Sequence, residues 1–413
     1  MAVVEAKESI AIIKAVLHSI DVSMISIPTG ADYQNLYYIA KRNSVANTVA
    51  DVICSWEDVP EDIKDKFRQQ KSMIMAQQAL SHNALQELFD SLDEHHIHGI
   101  FLKGTLLRNL YPNPFLRSMS DVDVYAEESD MDAIYSLMMD AGYEPGTIGS
   151  GNHYEYSKYR MVKVEYHPEL VALSSEYGQK VFARKHPEAK TIAAYMDIWN
   201  HTLPIDGHEY ARQLKPEYHY LYVIMHMMGH FLTAGTGIRS IMDVWVMNNH
   251  YSDTWDRQLI EQLLEDFGLR SFERYALALA DKWFDLEGLG YLPKAEEIDS
   301  EILNQYEAYI LGSGTYGNVE QSVNRQMNHQ TGTTSKLKYL SSRFFLPYDQ
   351  MKRIYPVLEK YPVALPAMWV RRVVDMFHTR GQYTKHKLKA VTNPDKEKVE
   401  KQRKLMEAMV GER

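Results

Sequence analysis

Two short stretches carry the residue types best suited to chemistry. One reads Arg117-Ser118-Met119-Ser120-Asp121-Val122-Asp123-Val124-Tyr125, and upstream of it lies Ile100-Phe101-Leu102-Lys103-Gly104-Thr105. On a strand, residues i and i+2 point to one face about 6.6 Å apart. Asp121 and Asp123 would then aim two hard oxygen ligands at one spot, with Val122 and Val124 anchoring the opposite face. Two Mg²⁺ ions about 3.5–4 Å apart can share such a pair and clamp the oxygens of an in-line phosphoryl displacement. That chemistry needs a third carboxylate. Glu165 offers one in Met161-Val162-Lys163-Val164-Glu165-Tyr166-His167, where Val162, Val164 and Tyr166 alternate with Lys163, Glu165 and His167. If this strand pairs beside the Asp121 strand, three carboxylates converge. A lone D-x-D is most often a solvated pair, and an exposed Glu on a half-buried strand is ordinary. Their combination with Lys103-Gly104-Thr105 is what favours chemistry.

Cations flank the turn. Charge builds on the oxygens of a transferred phosphoryl group, so a triphosphate site needs them. Lys103 sits at a strand end beside the turn, and Arg117 lies just before the Asp121 strand. Both suit phosphate contacts, whereas Arg108 reads as solvated on its helix. The backbone N–H groups of Gly104 and Thr105, opening that helix, are independently suited to anions.

Other clusters compete for attention. His219, His226 and His230 share one stripe of a helix, and His226-x3-His230 has zinc-pair spacing. No Glu follows His226 in the H-E-x-x-H manner, and Tyr222, Val223 and Met227 suggest a packed helix. The three are open to a core, substrate-facing or metal role. Arg239 and Asp243 are i,i+4 neighbours, which reads as an intrahelical ion pair worth about 0.3–0.5 kcal/mol. Arg372-x5-His378 has the sparse Arg/His spacing of some helical ribonucleases, a pattern that arises easily by chance.

The elements that must position these residues follow from periodicity. Residues 1–95 read as helical: Ile10, Ile13, Leu17 and Ile20 keep helical spacing, as do Ile63, Phe67, Ile74, Leu85, Leu88 and Leu92, with Pro60-Glu61-Asp62 as a start signal. Period two then predicts strands near 99–103, 121–125, 152–158 and 161–167, the last two joined by a hairpin around Tyr159-Arg160. Helices are expected over Thr105–Leu110 and from Ser129 to Ala141, the second ending at Gly142. Short strands are expected within 201–213 around Asp206-Gly207. From Pro216, which suits a first helical turn, the chain reads as helical. Gly312 to Gly317 separates two helical groups, and Asn328 to Ser335 reads as a connection.

Composition sets the frame. The 413 residues are 45% apolar and 24% charged, values of a globular chain with two or three domains. A single cysteine, Cys54, excludes an intramolecular disulfide and a cysteine zinc cluster, and reads as a small buried hydrophobe. The N-terminus shows no basic-then-apolar signal pattern, and no stretch approaches 18 uninterrupted apolar residues, so a cytoplasmic, non-membrane protein is expected. Net charge of −10 argues against a broad footprint on duplex nucleic acid. From Arg380 to Arg413, ten Lys/Arg face five Asp/Glu. This basic tail reads as a solvated helix end, with contact to RNA or an acidic partner as the other option.

Leu102-Lys103-Gly104, Arg117, Asp121-Val122-Asp123 and Val164-Glu165-Tyr166-His167 resemble the DNA polymerase β-like nucleotidyltransferase superfamily. Within it they look like the branch of bacterial proteins described only as uncharacterised nucleotidyltransferases. The likeness extends to Gly237–Asp243 and to the stretch from Phe345 to Arg372. It implies an α+β fold: a small mixed β-sheet nucleotidyltransferase core (96–215) between an N-terminal helical region (1–95) and a C-terminal helical region with a basic tail (216–413). It also implies transfer of a nucleoside monophosphate from NTP to an acceptor, with pyrophosphate released. By position, Asp121 and Asp123 become Mg²⁺ ligands, with Mn²⁺ as a substitute. Glu165 coordinates metal or helps deprotonate the acceptor hydroxyl, Gly104 and Thr105 cradle phosphate, and Lys103 and Arg117 neutralise it. The resemblance also favours a substrate-facing role for the histidine stripe. Thr105 stands where Ser is usual, and Glu165 where many relatives carry Asp. The spacing from Gly104 to Asp121 is longer than in compact members, which leaves Tyr111–Pro114 unassigned. The acidic body favours a small-molecule or protein acceptor over RNA. Two alternatives stand beside this reading: a non-catalytic nucleotide sensor, and a toxin-type transferase acting on tRNA or protein.

Overall fold

The structure is a computed structural model that describes residues 2–19, 32–146, 153–233, 235–286, 289–314, 345–346, 348–355, 357–375 and 396–410. Four helices come first: α1 (Ala2–Leu17), α2 (Tyr33–Arg42), α3 (Ala46–Ser55) and the 35-residue α4 (Glu61–His95). Helix α4 starts after Pro60 with Glu61 and Asp62 in its first turn, where carboxylates complement the helix dipole. It ends at His96, which takes the left-handed capping conformation at φ 57°. The apolar stripe of Ile63, Phe67, Ile74, Leu85, Leu88 and Leu92 is buried along its length. Ile10, Ile13 and Leu17 of α1 are buried too, while Ile20 lies outside the described residues.

The sheet follows. Its strands are β1 (Gly99–Phe101), β2 (Val122–Tyr125), β3 (Glu144–Pro145), β4 (Tyr154–Lys158), β5 (Val162–His167), β6 (Thr202–Pro204) and β7 (Ala211–Leu214). They form one mixed seven-stranded sheet in the order β3-β4-β5-β2-β1-β7-β6. Helix α5 (Gly104–Leu107) and a 3₁₀ turn over Arg108–Leu110 follow β1, and α6 (Met131–Asp140) follows β2. The β4–β5 turn has both Tyr159 (φ 55°) and Arg160 (φ 57°) in the left-handed region, closed by the Met161 amide donating to the Lys158 carbonyl at 3.3 Å. Two positive φ values suit the right-handed twist of a tight hairpin, although Asn-Gly is the sequence that adopts them most readily.

The alternation of β5 decides which side faces the core. Val162, Val164 and Tyr166 are fully buried, and Val122 and Val124 of β2 join them against Leu85, Leu88 and Leu92 of α4 and Ile134 and Met138 of α6. The other face of the sheet turns toward the later helices α9 (Pro216–Thr233) and α10 (Ile238–Tyr251), which pack on each other. After α10 come α11 (Arg257–Asp266), α12 (Arg270–Phe284) and α13 (Ser300–Ser313). The architecture is α+β, a mixed sheet between helical regions. Among the described residues no helix is long and apolar enough to cross a membrane.

The chain divides into two compact units, residues 1–316 with 407–413, and residues 317–406. The first contains every element named above. In the second, helices Tyr348–Ile354 and Val357–Lys360 are tied by the Tyr348 hydroxyl donating to the Leu358 carbonyl at 2.8 Å. The connection at 328–335, His378 of the Arg/His spacing and most of the basic tail before Lys396 lie outside the described residues. Cys54, expected to be buried, is half-buried, with its thiol 3.6 Å from the Lys64 carbonyl.

Candidate active site

Strands β2 and β5 run parallel, with Asp123 opposite Glu165 and Tyr125 opposite His167. Registered neighbours in a sheet share a face, so Asp123, Glu165 and His167 project from the same side, away from the valine core. Asp123 is only 3% exposed. Its Oδ1 accepts from the Lys103 ammonium at 2.9 Å and lies 2.9 Å from Nε2 of His167. Burial would raise the Asp123 carboxyl, but the Lys103 charge and the His167 contact outweigh it and hold it well below the usual carboxylate range. Glu165 goes the other way. Burial, then the charges of Asp121 and Asp123, push it up to about 6. Asp121 stands one residue before β2, and its Oδ1 accepts from the Ser120 hydroxyl at 3.0 Å.

Lys103 is held by an unusual backbone. Its φ of 47° with ψ of −122° belongs to a region that side chains rarely adopt, so the surrounding structure must enforce it. Buried polar strain of this kind concentrates at functional sites, where it fixes a side chain in place. Burial would lower the Lys103 ammonium, yet the Asp123 carboxylate raises it above its ordinary value.

Gly104 next to it has a steric requirement. A Cβ there would lie 2.3 Å from Nη1 of Arg117. Arg117 reaches that position because Asp243 of α10 holds it in a two-point clamp: Nε donates to Oδ1 at 2.7 Å and Nη2 to Oδ2 at 2.8 Å. The Tyr111 hydroxyl also donates to Asp243 Oδ1 at 2.7 Å, which gives the Tyr111–Pro114 segment a role in this clamp. Asp243 was expected to pair with Arg239. Instead Arg239 directs Nη1 to the Ser118 carbonyl at 3.0 Å.

A cleft of about 150 Å³ opens between the sheet and helices α9 and α10. Lys103, Gly104, Arg117, Asp121 and Asp123 line one wall, and His226, His230 and Arg239 line the other. Glu165 stands beside Asp123 on the neighbouring strand. The Thr105 hydroxyl is buried against Met119 Sδ at 3.9 Å, and Thr105 does not line the cleft. Helix α5 spans only four residues, so its dipole is small. Arg108, expected to be solvated, is 8% exposed, because the chain tightens into a 3₁₀ turn that carries the side chain inward.

Nε2 of His226 and Nε2 of His230 lie 3.1 Å apart, so one ring donates to the other. Burial pushes His230 down to about 4 and His226 well below its ordinary value, with Lys103 acting in the same direction. Both rings face the cleft. His219 is buried away from it, pushed down to about 4 by burial and then by Arg117.

Among the described residues, two groups could hold a metal ion. Asp123, Glu165 and His167 offer ligand atoms within 4.8 Å of one another, and so do His153, Glu155 and Glu165. Neither group includes the His226–His230 pair. The oxygen-rich donor set fits a hard divalent cation. The partnership of His167 with Asp123 and the Arg117–Asp243 clamp are what sequence reasoning missed. The first had a signal, since His167 alternates in phase with Glu165. The second had none, because its partners are far apart in the chain and on different elements.

No curated protein and no solved structure matches the chain. A family model does, over residues 29–285, a span that holds every strand of the sheet and both walls of the cleft. The chain belongs to the family described as uncharacterised nucleotidyltransferase.

Proposed function

We propose that this chain transfers a nucleoside monophosphate from an NTP to an acceptor hydroxyl or phosphate, in the manner of the DNA polymerase β-like superfamily. The observation that carries this reading is the in-register pairing of Asp123 with Glu165, with Lys103 on the Asp123 carboxylate and both Lys103 and Asp123 lining the cleft. Asp121, Asp123 and Glu165 would hold Mg²⁺, which when bound polarises the phosphoryl oxygens and neutralises the charge that develops on them. Lys103 and Arg117 would meet the negative charge of the triphosphate, with Gly104 and Thr105 as the turn that cradles it. The acceptor oxygen bonds to the α-phosphorus as the bond to the pyrophosphate bridging oxygen breaks. Where it does not ligate the metal, Glu165 would help deprotonate the acceptor hydroxyl. The acidic chain favours a small-molecule or protein acceptor over RNA.

Replacing both Asp121 and Asp123 with Asn tests the assignment. The double variant should lose Mg²⁺-dependent NTP binding by calorimetry and pyrophosphate release across a panel of acceptors. Undiminished transfer in that variant rejects the site. Wild-type binding without turnover on any acceptor would instead favour a nucleotide sensor, and growth arrest on expression that the double change abolishes would favour a toxin-type transferase.

A further inference from the structure

We infer that His167 is a direct metal ligand, adding one imidazole to the carboxylates of this site, so that Mn²⁺ is preferred over Mg²⁺. The inference rests on the proposal above that the carboxylate cluster binds a divalent ion, and it adds a ligand and a metal preference which that proposal does not contain.

The geometry is that of a ligand set. Atoms about 2.1 Å from one ion and at right angles to each other stand about 3 Å apart. His167 Nε2 is 2.9 Å from Asp123 Oδ1 and 3.7 Å from Glu165 Oε2, and all three ligand atoms lie within 4.8 Å of one another. Their origin is equally telling. All three side chains leave the same face of two paired strands in fixed register, so backbone hydrogen bonds hold the spacing. His153 approaches Glu165 from another direction at 3.9 Å, so Glu165 sits between two imidazoles. Lys103 shares Asp123 Oδ1 with His167 and supplies positive charge at the same oxygen.

The chemistry then sets the preference. Mg²⁺ demands near-ideal octahedral oxygen coordination and gives up water reluctantly. An imidazole nitrogen favours first-row transition ions over Mg²⁺, and among them Mn²⁺ is the one that shares the Mg²⁺ preference for carboxylate oxygen. Replacing one oxygen donor by Nε2 therefore penalises Mg²⁺ more than Mn²⁺.

Pulsed electron paramagnetic resonance on Mn²⁺ bound to the full chain, without nucleotide, provides the test. Directly coordinated ¹⁴N should modulate the echo in the wild type. The modulation should disappear in His167→Asn while persisting in His226→Asn. Mn²⁺ affinity should fall on the order of ten- to a hundredfold in His167→Asn, and the Mn²⁺/Mg²⁺ affinity ratio should fall with it. His167→Glu, which restores an oxygen ligand, should regain Mg²⁺ affinity without the nitrogen signal. Wild-type Mn²⁺ bound with no ¹⁴N modulation overturns the inference and leaves the carboxylate site standing; this outcome needs no variant to fold. Modulation that persists in folded His167→Asn overturns it as well. Failure of the wild type to bind Mn²⁺ or Mg²⁺ at all overturns both readings together.

Discussion

Two buried ionic groups flank the cleft, and they are built differently. At Arg117–Asp243 both carboxylate oxygens are engaged by a planar guanidinium, and Tyr111 adds a third hydrogen bond. At Asp123, Lys103 and His167 converge on a single oxygen, while the neighbouring Glu165 sits among like charges. The clamp is satisfied within the protein and fixes geometry. Glu165 is left in a repulsion that a bound cation would relieve, which suits a site made to receive one.

The sharpest way to break this contrast is Asp243→Ala. It strands the Arg117 guanidinium without a counter-charge, and removing one partner of a buried pair costs about 3–5 kcal/mol. Chemical denaturation should show that loss, and a change below about 1 kcal/mol would mean the clamp is not the structural element argued here.

Glu165→Gln should act in the opposite direction. A carboxyl raised from 4.5 to about 6 binds its proton more tightly when folded. The native state therefore carries a cost that is absent below pH about 4.5, appears as pH rises to about 6 and is fully present above it. Removing the charge should stabilise the metal-free protein at pH 7–8 by about 2 kcal/mol, with no gain at pH 4, while weakening divalent-ion binding. Equal stabilisation at both pH values would disprove the electrostatic origin.

The smallest effect concerns strain outside the cleft. Changing Tyr159-Arg160 to Asn-Gly relieves two left-handed residues in the hairpin and should raise stability by about 1 kcal/mol while leaving NTP binding alone. A thermal melt paired with a nucleotide titration checks both halves. Loss of binding would show that the turn geometry sets the position of Glu165.

Much of the sheet was legible because period-two alternation is a local signal. Val162 to His167 announces its buried face residue by residue, and the same phase puts Glu165 and His167 together. The Ser129–Ala141 expectation matches a 3₁₀ turn over Glu128–Asp130 leading into α6, with Gly142 at φ 78°. What escaped was tertiary. Nothing near Asp243 indicates Arg117, whereas Arg239 sits four residues away on the same helix and looks like the natural partner. Thr105 and Arg108 were read from their neighbours in sequence, but the direction of each side chain depends on how tightly the turn after β1 winds. The His226–His230 contact was visible as a spacing; its position in the cleft depends on how α9 packs on the sheet.

Gly104 has a consequence for anyone who varies this protein. Its missing Cβ leaves room for a guanidinium that is tethered from behind by a carboxylate on α10. An added methyl has nowhere to go unless the tether yields, so the loop after the first strand and the middle of a distant helix behave as one heritable unit. Libraries that randomise the loop alone would return glycine at position 104. Another answer there requires Arg117 to change or shift, and Asp243 is the residue that holds it.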